Sequence, residues 1–183
     1  MSNRLLSLVA AFAFAAGSLA AAPQSHVAPA NAPAMARMAP ANEPGPRLAV
    51  SGVVVSADGA PVAGASIYAY QTDAEGYYGV KPVSDSNNPR LKVLLRSGPK
   101  GEWAFETIRP GSYPNSRAPG HIHFEVLADG HARRVFEIVF EGDPYVTAAM
   151  RTNPAFSVRP VEAPVAPNGP GRVTERIVLP RER

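Results

Sequence analysis

The stretch HIHFEVLADGHARRVFEIVF, residues 121–140, decides the fold. Side chains two apart on a strand share a face. Ile122, Phe124 and Val126 therefore make an apolar face, and His121, His123 and Glu125 point the other way. Ala128-Asp129-Gly130 is a turn signal, and apolar residues resume behind it, so the stretch reads as a β-hairpin. Working outward, LAVSGVVV (48–55), ASIYAY (65–70), LKVLL (91–95), EWAFETI (102–108) and RVTERIVL (172–179) are further short strands, separated by turns such as ADG (57–59) and SGPKG (97–101). No segment carries a long 3.6-residue apolar period. The expected fold is all-β, a two-sheet β-sandwich over residues 47–183, with long functional loops at 73–90 and 145–171.

The chain has 183 residues, enough for one domain with a substantial core. It carries 20 prolines and 15 glycines, which suits turns and loops and not a helical bundle. The net charge is only +3 and the basic residues form no run, which argues against nucleic acid as a partner. With no cysteine there is no disulfide, thiolate metal site or cysteine nucleophile. Residues 1–22 have Arg4 ahead of an apolar run and small residues behind it, the pattern of a cleavable bacterial export signal. The competing reading is a lone membrane anchor. Cleavage leaves no stable membrane span and places the protein in the periplasm or outside the cell. Residues 23–46 are rich in alanine and proline and read as a disordered tether, with His26 solvated.

On the polar face of the hairpin, His121 and His123 stand side by side. Two imidazoles at that spacing can share a metal ion, and they can equally form a polar strand face turned to water. Tyr113 lies in a Pro-Gly turn just upstream, and Tyr77 and Tyr78 open the 73–90 loop. None of these three follows a strand alternation. Phenolate oxygen is a hard anionic donor and imidazole also suits iron, so two of each favour a trivalent ion. Tyr68 and Tyr70 lie within a strand and read as packing residues, Tyr145 receives no role, and His131 reads as solvated.

YQTDAEGYYG (70–79), TIRPGSYP (107–114), GHIHFEV (120–126) and FEGDP (140–144), in this order, resemble the intradiol ring-cleavage dioxygenases, the protocatechuate and catechol dioxygenase family. The similarity covers about residues 50–143. It implies a β-sandwich holding non-haem Fe(III) by Tyr78, Tyr113, His121 and His123, with a small aromatic diol and O₂ as substrates and a muconate-type diacid as product. Tyr78 and His121 match the equatorial ligands, and His123 the axial histidine. Tyr113 matches the axial tyrosine that leaves the metal and accepts a proton as the diol binds. Tyr78 rather than Tyr77 matches the ligand two residues after Gly76. Two departures stand out. The family's arginine lies three residues before the first histidine, where this chain has Ala118; Arg117 lies four before, and reads either as a catalytic cation or as a solvated loop residue. The family often has glutamine where this chain has Glu137. A homo-oligomer is compatible with the sequence. The rival class is an exported transthyretin-like binding module without catalysis, and a third reading is a relative that binds iron without turnover.

Overall fold

The computed structural model describes residues 26–182. The chain runs β1 (Met35–Arg37), β2 (Arg47–Ser56), β3 (Ser66–Gln71), β4 (Leu91–Arg96), β5 (Glu102–Ile108), β6 (His121–Leu127) and β7 (Arg134–Phe140). A 3₁₀ turn (Ala149–Arg151), β8 (Phe156–Arg159) and β9 (Gly171–Leu179) follow. One sheet has the order β1-β5-β2-β9 and the other β4-β3-β6-β7-β8. Alternation along the strands puts Leu91, Val93 and Leu95 of β4, and Val173, Ile177 and Leu179 of β9, between the sheets. Trp103 and Phe105 from one sheet meet Phe124 of the other, and Phe124 stacks on Phe136 at 5.0 Å. This is the expected two-sheet sandwich.

Strand β6 is covered on both faces. Ile122, Phe124 and Val126 enter the core, yet His121 and Glu125 on the outer face are buried too. The cover comes from the loops at 73–90 and 109–120 and from the segment ahead of β2.

That segment corrects the expected tether. From His26 to Pro46 it lies against the sandwich. Strand β1 pairs in parallel with β5, and Ala28, Met38 and Ala39 are buried. Alanine and proline give no periodicity to read, but the small side chains allow close approach, and the backbone finds partners. Ala28 N donates to Ser66 Oγ at 2.7 Å, and the Arg96 guanidinium donates to the carbonyls of Ala28 and Pro29. Glu43, whose side chain is 7% exposed, takes a two-pronged contact from Arg90 at 2.6 and 2.7 Å. His26 stays exposed as expected, yet it also stacks on Tyr68 with ring centres 4.1 Å apart and sits 3.5 Å from Glu125.

Two other expectations change. Residues 145–171 are not one open loop, because β8 pairs in parallel with β7 and the 3₁₀ turn precedes it. β7 starts at Arg134, not His131. The expected export signal, residues 1–22, lies outside the described residues. Among the described residues, no helix is long and apolar enough to cross a membrane.

Candidate metal centre

Three pieces of chain converge at one end of the outer face of β6. The strand itself brings His121 and His123. The 73–90 loop, leaving β3, brings Tyr78, and the 109–120 loop, leaving β5, brings Tyr113. The two loops are tied together at Asp73 and Gly76. Gly111 N donates to Asp73 O, and Asp73 Oδ1 accepts from the backbone N–H groups of Glu75 and Tyr77. Gly76 has φ +89°, and a Cβ there would fall 1.9 Å from Ser112 O, so only glycine lets the loops touch. Below them, buried Gln71 donates to the carbonyls of Thr72 and Ile108 and accepts from Thr107 Oγ1, joining the ends of β3 and β5.

The four side-chain tips crowd one point. Tyr78 Oη touches Tyr113 Oη and lies 2.7 Å from His123 Nε2. Tyr113 Oη is 2.9 Å from His121 Nε2 and 3.4 Å from His123 Nε2, and the two Nε2 atoms are 3.0 Å apart. The protons available do not satisfy these contacts. His121 Nδ1 faces Pro119 O at 2.7 Å, and a carbonyl only accepts, so the proton is on Nδ1 and Nε2 carries a lone pair. His123 Nδ1 faces Glu137 Oε1 at 3.2 Å, which fixes the same tautomer. Two phenolic protons remain for five close contacts, and one of those joins two nitrogen lone pairs. A cation at the centre resolves this. A first-row metal bound at about 2.0–2.2 Å from each donor would need only a small opening of the present cluster. The donors are two hard phenol oxygens and two imidazoles without sulfur, a set that fits iron.

The surroundings set the electrostatics. Burial pushes the Tyr78 phenol well above its ordinary pKa, and the Tyr113 contact adds to the rise. Burial also raises Tyr113 and Tyr70, and the Glu137 charge reinforces both. A phenol in this environment ionises only against a strong positive charge. Burial holds His121 below the usual imidazole range, which keeps it neutral and able to ligate. Burial opposes ionisation of Glu137, but the His123 hydrogen bond and the attraction of both imidazoles outweigh it, and the carboxyl falls below its usual range. His121, His123 and Glu137 thus form a potential metal cluster by proximity. Glu137 meets His123 on the ring nitrogen away from the convergence point, however, and so acts through that imidazole.

Tyr78, Tyr113, His121 and His123 are brought together, and Arg117 is not among them. Its side chain is exposed on the 109–120 loop, with no hydrogen bond or ion pair among the described residues. Tyr77 turns away, its ring 5.7 Å from Lys81 Nζ. Tyr70, expected to be mere packing, stacks on His123 at 4.4 Å and 14° and lines a cavity of about 340 Å³ with Tyr78, Ser84, Ser86, Tyr113 and His123. Its register was available in the sequence: it lies two residues after Tyr68 on an outer face. What was missing was the pairing of Tyr70 with His123 across the sheet. Ser84 and Ser86 gave no signal. The 73–90 loop lines this cavity as expected, and the 145–171 segment does not.

The chain matches known proteins over most of its length. A family model described as Dioxygenase (Dioxygenase_C) matches residues 21–160. Hydroxyquinol 1,2-dioxygenase of Nocardioides simplex is 36% identical over 110 residues, covering 51% of this chain and 37% of that protein. Among solved structures, catechol 1,2-dioxygenase from Acinetobacter sp. ADP1 is similar at TM-score 0.67 and 23% identity. That match covers 83% of this chain and 59% of the other, and speaks for the fold alone. The dioxygenase domain of a dioxygenase–carbohydrate-binding protein fusion from Streptomyces sp. SirexAA-E aligns at TM-score 0.61 and 25% identity, covering 81% and 90%. The matches span 43%, 37% and 48% of the length of three curated relatives. Sandwich, clustered donors and family match agree, and the chain belongs to the intradiol ring-cleavage dioxygenase family.

Proposed function

We propose that the protein holds non-haem Fe(III) through Tyr78, Tyr113, His121 and His123 and cleaves a catechol-type ring between its adjacent hydroxyls with O₂, giving a muconate-type diacid. The observation that carries this reading is the convergence of four lone-pair donors with too few protons to bond one another. Ferric iron held by these four side chains would supply Lewis acidity toward a diol substrate.

The residues divide the remaining work. Tyr78 is 4% exposed and wedged between Tyr70 and Tyr113, so it stays in place. Tyr113 is half-buried at the tip of a loop and can swing out. Burial makes its free phenolate a strong base, so on leaving the cluster it takes up a proton from the incoming diol. His121 is locked through Nδ1 by Pro119 O. His123 is oriented by Glu137, and the carboxylate makes its Nε2 a stronger donor. Tyr70 stacks on His123 and limits where a ring can enter.

A transthyretin-like binding module has no need of this donor set, and family membership favours the enzyme. Export to the periplasm or beyond is part of the proposal, supported by the pattern of residues 1–22. The experiment is purification with iron quantitation, a visible spectrum and O₂ uptake with 1,2-dihydroxybenzene. A phenolate-to-iron band that moves in Tyr78→Phe but not in Tyr77→Phe is the expected result. A colourless protein that takes up no iron and consumes no O₂ with a diol overturns the reading.

A further inference from the structure

The proposed chemistry leaves open which diols enter, and the cavity wall bears on this. The lining side chains are Tyr70, Tyr78, Ser84, Ser86, Tyr113 and His123: aromatic rings and hydroxyls, with no lysine or arginine. The nearest charged groups are anionic. Glu137 lies behind His123, and its charge is felt at Tyr70, Tyr78 and Tyr113. Asp85, between the two serines in the chain, does not line the cavity, and its Oδ1 accepts from Asn87 N at 2.9 Å.

The cations nearby are engaged elsewhere or lie outside the wall. Lys81 pairs with Glu75 at 2.9 Å, and Arg90 pairs with Glu43. Lys92, cross-strand neighbour of Tyr70, donates to Asn88 Oδ1 at 3.0 Å. Arg117 is exposed and does not line the cavity. The same loop presents apolar surface: Val80 is 74% exposed and Val83 53%.

From these walls we infer that the site selects uncharged catechols, alkylated ones included, and discriminates against diols bearing a ring carboxylate. This rests on the diol-binding reading above. A ring carboxylate in this cavity leaves water without gaining a lysine or arginine partner, and it approaches the Glu137 carboxylate behind His123. An alkyl group brings no charge to desolvate or to be repelled.

The test is equilibrium binding by calorimetry, under argon so that no turnover occurs, with iron-loaded full-length protein near neutral pH. The probes are 1,2-dihydroxybenzene, its 4-tert-butyl derivative and 3,4-dihydroxybenzoate. The expected result is that the carboxylated diol binds at least about tenfold more weakly than the parent, while the alkylated one stays within about threefold or binds better. Ser84→Arg places a cation on the exposed rim and should shift the affinity ratio toward the carboxylated diol. Equal or tighter binding of 3,4-dihydroxybenzoate, with a ratio that Ser84→Arg does not move, overturns the selectivity. Binding of none of the three overturns the diol site itself, a result recognisably different from binding without discrimination.

Discussion

Strand β6 presents two polar clusters on one face, and they are resolved in opposite ways. At its far end Glu125 is buried, but the protein supplies its countercharge: Arg133 Nε at 2.9 Å, with His26 at 3.5 Å. At its near end His121 and His123 meet Tyr78 and Tyr113, and among the described residues the only charged group in contact is the Glu137 carboxylate. Both clusters took polar atoms out of water, which is tolerated only when partners replace the water. One has its countercharge as folded, although Glu125 Oε1 gains no well-aligned hydrogen bond. The other has acceptors facing acceptors and calls for a cation from outside. Burial of polar residues is common to both, so it does not mark the functional end; the mismatch between lone pairs and protons does.

Removing a donor breaks the comparison most sharply. His123→Ala should abolish stoichiometric iron and the visible band, because the cluster loses one of four donors and the Glu137 carboxylate loses its partner. Glu125→Gln, on the same face two residues on, should keep both. Metal analysis and absorbance of the purified proteins decide this, and retained iron in His123→Ala would remove the distinction between the two ends.

A smaller effect is expected at Glu137. Glu137→Gln preserves shape and removes the charge behind His123, and outer partners of this kind typically change metal affinity by about 10–100-fold. Competition with a chelator should show that loss while the metal-free protein melts at the wild-type temperature. Unchanged affinity would mean that His123 needs no carboxylate.

The third prediction concerns the segment at 26–46. Glu43 is held below its ordinary pKa of 4.5 by its hydrogen bond with Arg90, against an opposing burial effect, with the Arg90 and Arg47 charges assisting. A depressed folded-state pKa adds stability that is present above about 4.5 and is lost as pH falls through the lower folded value. Arg90 N also donates to Tyr78 O at 2.7 Å, so this clamp braces a loop of the site. The hydrogen-exchange protection factors of residues 26–46 should therefore fall as pH drops below about 4.5 in the wild type. In Glu43→Gln they should already be low at pH 7. Equal protection in the two proteins at pH 7 would show that the clamp does not hold the segment.

The smallest effect is expected for Arg117→Ala. Exposed, outside the cavity wall and without a side-chain partner among the described residues, Arg117 is not held as a preorganised charge, whose removal would cost on the order of 10²–10³ in turnover. Steady-state ring cleavage at equal iron loading should stay within about threefold of wild type, a change smaller than any transition-state contact gives. A hundredfold loss would mean that the 109–120 loop closes over bound substrate and carries Arg117 in.

The alternation of residues 121–126 determined a great deal without tertiary information. It assigned the strand, its buried face, and the two imidazoles on the other face, because side-chain direction in a strand follows from backbone geometry alone. The turn residues set the hairpin, and the order of the Tyr and His motifs carried the family resemblance. The alanine- and proline-rich segment was different. Its attachment depends on Ser66, Arg96, Arg90 and β5, none of them local, and a sequence without periodicity gives no sign of partners so distant. The β7–β8 pair was hidden for the same reason, since four residues of a parallel edge strand repeat too little to read. Tyr70 shows the division within one side chain. Its place on the outer face followed from counting by twos, but its stacking on His123 and its place in the cavity wall arose only when β3 and β6 paired, because register between strands is a property of the sheet.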